Sequence, residues 1–237
     1  MSMWNIDDFR NFQAIYIGKN IDMSTPIMRY TSLRTLEQIM QNQLYVSKRK
    51  CYDDPHERGN YTNRSMSYPF EFMSRKTKEE RIAHEKENVI FYENIEKSYD
   101  TLTSCWTYSQ KEKLEMWEMD GNREILIKTT IGQLLSAIDT RDFHTIVCDK
   151  MLYCQKEGPK GSLHDFLFLK EGNFDVEEEL RFYFFTDRHN EVNYYQLPLY
   201  HNLFFNTIIV RLMNKDKISN VEKMYPILTN FIKTSVL

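Results

Sequence analysis

Apolar positions recur along this chain in two rhythms, and each change of rhythm marks a new element. Ile27-Met28-Arg29-Tyr30-Thr31 reads as a short strand, after which Leu33, Leu36, Ile39 and Met40 fall at i, i+3, i+6 and i+7, one face of a helix. Ser32 can cap that helix, because its hydroxyl can accept from an orphan backbone N–H one turn on. Leu44-Tyr45-Val46-Ser47 returns to strand chemistry, so the opening is a compact strand–helix–strand unit. Residues 1–25 read as a helical or irregular lead-in closed by Ser24-Thr25-Pro26. Residues 101–107 are rich in β-branched and aromatic side chains and predict a strand. A short helix over 110–119 carries Leu114 and Trp117 three apart on one face. A buried strand over 124–128, a helix over 130–138, and strands over 143–148 and 150–154 follow.

The late part of the chain turns on one stretch, Phe174-Asp175-Val176-Glu177-Glu178-Glu179-Leu180-Arg181-Phe182-Tyr183-Phe184-Phe185. With a period of two, Glu177, Glu179, Arg181 and Tyr183 share one face, and Leu180, Phe182 and Phe184 the other. Glu178 then faces away from Glu177 and Glu179. Carboxylates leading into so apolar a strand must be paired, hydrogen-bonded or functional. A short helix over 163–170 precedes this stretch, and residues 191–197 are expected to pair with 181–186 as a hairpin. A last core strand covers 207–212. Ser219-x-x-Glu222 then opens a final helix, with Val221, Met224, Tyr225, Leu228, Phe231 and Ile232 as its stripe.

Between the first and middle strands the pattern loosens. Residues 48–68 are polar and turn-rich and contain Asp53-Asp54-Pro55-His56-Glu57-Arg58-Gly59. A structureless run of about 20 residues is uncommon and is often functional. The box Thr77-x-x-Glu80 opens a charged helix reaching Tyr99, so residues 69–99 read as a helical insertion or lid. Strict β–α alternation is absent. The expected architecture is therefore one α+β domain over residues 1–237, with a mixed or antiparallel central sheet, flanking helices and a C-terminal helix over 216–237.

Composition narrows the function classes. The 237 residues are 41% hydrophobic and 14% aromatic, with fifteen Tyr, fifteen Phe and seven Gly, enough for a dense aromatic core. A net charge of −3 argues against a chain that coats nucleic acid wholesale. The basic runs Lys48-Arg49-Lys50 and Arg75-Lys76-Thr77-Lys78 read as solvated faces. Cys51, Cys105, Cys148 and Cys154 form no C-x-x-C pair and imply a reducing compartment without a disulfide framework. No signal-like N-terminus and no membrane-length apolar run is present, so the expected location is the cytoplasm.

The sequence contains neither phosphate-cradling glycine loop, G-x-x-x-x-G-K-[ST] or G-x-G-x-x-G, and neither H-E-x-x-H nor G-x-S-x-G. Cys51 and His56 alone fall short of a metal site, and no metal is expected. What remains is polar chemistry spread over strand ends: Arg29 and Thr31 on the first strand, Ser104 and Trp106 on the middle one, and Glu177, Glu179 and Arg181 on the late one. An ion pair between Glu179 and Arg181 at the mouth of a sheet explains the late set as well as an active-site strand does.

Arg29-Tyr30-Thr31-Ser32-Leu33, Asp54-Pro55 with Glu57, Ser104-Cys105-Trp106, Met116-Trp117 and Phe174-x-x-Glu177-x-Glu179-x-Arg181 together resemble, in order and spacing, the bacterial DUF2971 family, a domain of unknown function. The resemblance runs from about residue 27 to residue 212. That layout is in turn similar, more distantly, to the ADP-ribosyltransferase fold. The likeness implies NAD as substrate, with Arg29, Tyr30, Thr31, Ser104, Trp106, Trp117 and Arg181 around it and Asp54, Pro55 and Glu57 on a nearby loop. Glu179 would stabilise an oxocarbenium-like transition state, and Glu177 would orient or deprotonate the acceptor. The implied function is an NAD-consuming ADP-ribosyltransferase-like enzyme acting on a protein or nucleic acid, in a bacterial toxin or phage-defence setting. The alternative is a catalytically silent nucleotide-, nucleic-acid- or protein-binding module, with Glu177, Glu179 and Arg181 as a salt-bridge cluster. A metal-dependent nuclease-like enzyme using Asp53, Asp54, Glu57 and the late carboxylates is a third reading, weakened because the first three acidic groups lie on a loop.

Overall fold

A computed structural model describes residues 14–51, 77–80, 101–119, 123–154, 167–171, 175–186, 192–202, 204–210, 219 and 222–235. Strand β1 (Ala14–Ile17) is followed by β2 (Pro26–Thr31), α1 (Leu33–Met40) and β3 (Gln43–Lys48). Next come β4 (Leu102–Thr107), α2 (Leu114–Glu118), β5 (Ile125–Thr130), α3 (Ile131–Ala137) and β6 (Thr145–Lys150). The chain continues through β7 (Leu152–Cys154), β8 (Leu169–Glu171), β9 (Glu179–Phe185), β10 (Tyr194–Pro198), β11 (Thr207–Val210) and β12 (Ile232–Thr234). Ten strands form one mixed sheet in the order β1-β6-β9-β4-β2-β5-β11-β12, with β3 pairing β4 and carrying β10. Strands β7 and β8 make a separate parallel pair. The fold is α+β.

Local signals explain the starts of the helices. Ser32 accepts from Thr35 N–H at the start of α1, and Thr130 from Gln133 N–H at the start of α3. At Thr77 the capping box is reciprocal: Glu80 N–H donates to Thr77 Oγ1 at 3.2 Å, and Thr77 N–H to Glu80 Oε2 at 2.7 Å.

The sheet has two buried faces, and register assigns every side chain to one of them. On the first face Ile27, Leu102, Trp106, Ile127, Ile146, Leu180, Phe182 and Phe184 pack against α1 and α3 in the main core. The second face carries two smaller clusters. Met28, Tyr30, Leu126 and Ile209 pack on Met116 and Trp117 of α2, while Val147 and Tyr183 pack on Met151, Leu167 and Phe168. Burial on both faces makes β9 a central strand, and β4 and β6 occupy its two edges.

Several expectations are corrected. The lead-in contains a strand, β1, because Ala14–Ile17 pairs parallel with β6. The expected hairpin does not form: both edges of β9 are taken, and β10 pairs antiparallel with β3. The expected helix over 163–170 is replaced within the described residues by β8, after helical Leu167 and Phe168. The C-terminal stripe does not run as one helix. Pro226, which cannot supply a helical N–H, opens a 3-10 turn over Pro226–Asn230, and Ile232 then joins β12 beside Ile208. Lys48 and Arg49 are not solvated; each is 1% exposed. Lys48 alternates with Leu44 and Val46 towards the core, so strand period outweighs the charge of the run.

Candidate functional site

Strand β4 is where the sheet forks. One of its edges pairs with β9 throughout. The opposite edge is shared: β3 pairs at Leu102 and Thr103, and β2 pairs only through Met28 to Thr107. The two strands part at Ser104–Trp106, with α1 connecting them. Arg29 stands one residue beyond the Met28–Thr107 pair, at the crotch, half-buried on the first face. Its Nη1 donates to Ser104 Oγ at 3.2 Å, and its guanidinium lies 5.8 Å from the centroid of the Trp106 ring. Trp106 Nε1 donates to the same Ser104 Oγ at 3.0 Å. Period two alone aligns Ser104 with Trp106; the meeting with Arg29, 75 residues away in sequence, comes from the sheet.

Glu179, Arg181 and Tyr183 lie on the second face of the same sheet, as the period-two reading predicts. Arg181 grips Glu179 through both oxygens, Nε to Oε1 at 2.6 Å and Nη2 to Oε2 at 2.8 Å. Lys170, absent from the expected set, reaches Glu177 Oε2 at 2.9 Å and Glu179 Oε2 at 3.4 Å. Its sequence context, a lone lysine in a turn-flanked run, holds no signal of this role. Glu177 sits on a 3-10 turn, Asp175–Glu177, and not on the strand. It is brought beside Glu179 by Glu178, whose φ of 42° is in the left-handed region. The Glu178 carboxylate points elsewhere, to Lys113 at 2.8 Å, which together with a Ser109 hydrogen bond holds it below the usual carboxylate range. Burial pushes the Glu177 carboxyl up, against the pull of Lys170. Tyr153 accepts from Glu179 N–H at 3.0 Å, and burial pushes its phenol up.

No family model, curated protein or solved structure matches this chain.

The expected site residues thus divide. The structure brings Arg29, Ser104 and Trp106 together on one face, with Thr31 on the same side of β2. It brings Glu177, Glu179 and Arg181 together around Lys170, with Glu179 and Arg181 projecting from the opposite face. Tyr30 and Trp117 meet edge-on at 4.9 Å within the core cluster under α2, and do not join Arg29. Asp54, Pro55, Glu57 and Phe174 lie outside the described residues. Among the described residues no three His, Cys, Asp or Glu side chains gather as a metal-binding group. No helix among them is long and apolar enough to cross a membrane.

Proposed function

We propose that the protein is a nucleotide-binding module whose site is the fork between β2 and β3, with NAD as the first ligand to test. The observation that carries this reading is the arrangement of Arg29 over Trp106 and against Ser104. A guanidinium matches phosphate oxygens in charge and geometry, and the buried Trp106 ring holds it in place from the core side. Ser104 Oγ accepts from both Arg29 Nη1 and Trp106 Nε1, and so ties the guanidinium to the buried ring and fixes its direction.

Binding alone fits this geometry better than transfer of ADP-ribose to a macromolecule. A catalytic Glu179 needs a carboxylate turned towards the ligand. Here both of its oxygens hold Arg181, and the side chain leaves the sheet on the face opposite Arg29. Within this reading Glu177, Glu179, Lys170 and Arg181 form a charge-neutral cluster that fixes the strand.

Titration calorimetry with NAD, ADP and ATP is the test, run on the wild type and on Arg29→Ala. Binding by the wild type and its loss in Arg29→Ala is the expected result. Absence of binding for all three nucleotides, or full binding by Arg29→Ala, sinks the fork as the site. Incubation with labelled NAD and cell lysate separates the two readings. Label passed to protein or nucleic acid, and abolished in folded Glu179→Gln, would restore the transferase.

A further inference from the structure

Among the described strands β10 pairs with β3 alone, so its other side is an edge of the sheet. Two backbone bonds flank the ladder and fix its parity. Lys48 N–H donates to Asn193 O, and Leu199 N–H donates to Asn42 O. Tyr195 and Leu197 therefore turn their backbone groups to β3, and Tyr194, Gln196 and Pro198 turn theirs outwards. Pro198 brings no N–H, and its carbonyl accepts from Asp139 N–H. Gln196 stands at the centre of this edge.

The side chains beside the edge are of one kind. Gln43, Tyr45 and Ser47 of β3 share a face with Tyr194 and Gln196 of β10, turned away from the core residues Leu44, Val46 and Leu197. Tyr45 and Tyr194 stack at 5.6 Å and 27°, and Tyr194 is 51% exposed. Residues 41–47 and 192–200 contain no Asp, Glu, Lys, Arg or His. In a chain that is 27% charged, two segments of that length would ordinarily hold about four charges. Edge strands are commonly guarded by a lysine, another charge or a proline, because an open ladder recruits a further strand. Here Pro198 guards one end, and the rest of β10 carries no charge.

The chemistry of this face selects a second copy of the same chain. A twofold interface sets one patch against itself, so a patch of one charge sign repels its own copy. This patch is neutral. Amide and phenol groups both donate and accept, so Gln43, Gln196, Tyr45 and Tyr194 can each complement a duplicate of themselves. Nucleic acid or an anionic membrane surface calls for cations, and the two segments hold none. We propose that the β10 edge is a homodimer interface, with two copies of β10 running antiparallel about a twofold axis at Gln196. At the axis Gln196 and the partner's Gln196 exchange two backbone N–H···O bonds, and the mixed sheet continues from one copy into the other.

Sedimentation velocity between about 1 and 100 μM tests the proposal in the micromolar Kd range. The wild type should form a dimer whose Kd changes less than about twofold between 0.05 and 0.5 M salt, because no charge pair holds it. Gln196→Lys places an exposed cation against its own copy and should weaken the dimer at least about tenfold, with partial recovery in high salt. Tyr194→Lys, also at an exposed position, should do the same, while Leu152→Lys, exposed on β7, should leave the dimer intact. A wild type that stays monomeric throughout overturns the proposal. So does a dimer that dissociates in salt, or one that persists unchanged in folded Gln196→Lys and Tyr194→Lys proteins.

Discussion

A charged side chain in this fold acts according to how many of its hydrogen-bonding positions are filled. Glu179 and Arg181 satisfy one another through two parallel bonds inside a nearly closed environment, so each depends on the other. Removing one partner of such a pair leaves an uncompensated buried charge and costs about 3–5 kcal/mol. Glu179→Gln is expected to lose stability on that scale, read as a lower denaturant midpoint with an unchanged slope. Its neighbour Glu178 behaves differently. A left-handed backbone at a non-glycine residue costs of order 1 kcal/mol, and the Lys113 contact offsets that cost while turning Glu177 towards Lys170. Both roles lay hidden in three identical letters. Strand period separates Glu178 from Glu179, but only the φ of Glu178 explains how a residue before the strand joins the same cluster.

Elements are tied together by polar contacts at their ends as much as by the core. Asp139, just past α3, accepts from Arg141 Nε at 2.9 Å and from the Tyr200 hydroxyl at 3.0 Å. Its own N–H donates to Pro198 O at the end of β10. The Arg141 hydrogen bonds hold the Asp139 carboxyl well below the usual carboxylate range. A depressed folded-state value means stability that is present above the ordinary carboxylate range and lost as pH falls through the folded value. Asp139→Asn should therefore unfold earlier than the wild type at neutral pH. The gap between their denaturation midpoints should close in strong acid.

At the scale of the whole molecule, the fork separates two bodies of chemistry that the sequence presents as one list. The side of the sheet that carries Arg29, Ser104 and Trp106 also carries the main core, while the Glu179–Arg181 pair leaves from the other side. If the fork binds a nucleotide, saturation should raise the unfolding free energy of the whole domain. At about one hundred times Kd the gain is about 2.7 kcal/mol. A matching rise in Tm is expected for the wild type with NAD, ADP or ATP, and none for Arg29→Ala. Much of this architecture was legible beforehand. The strands at Arg29, Trp106 and Arg181, the helix capped by Ser32, the helix that follows the strand over 124–128, and the shared face of Glu179, Arg181 and Tyr183 all follow from local period and capping chemistry. Those signals depend on neighbours within one or two turns, which the order of residues specifies directly. What the tertiary structure alone decided was non-local. It burial-sorted Lys48 and Arg49, gave both edges of β9 to β4 and β6, and ended the last helix in an edge strand. It also set Lys170 between two carboxylates and put Arg29 and Glu179 on opposite faces. Strand partners and buried ion pairs are chosen by competition among distant segments, and no local window of sequence contains the competitors.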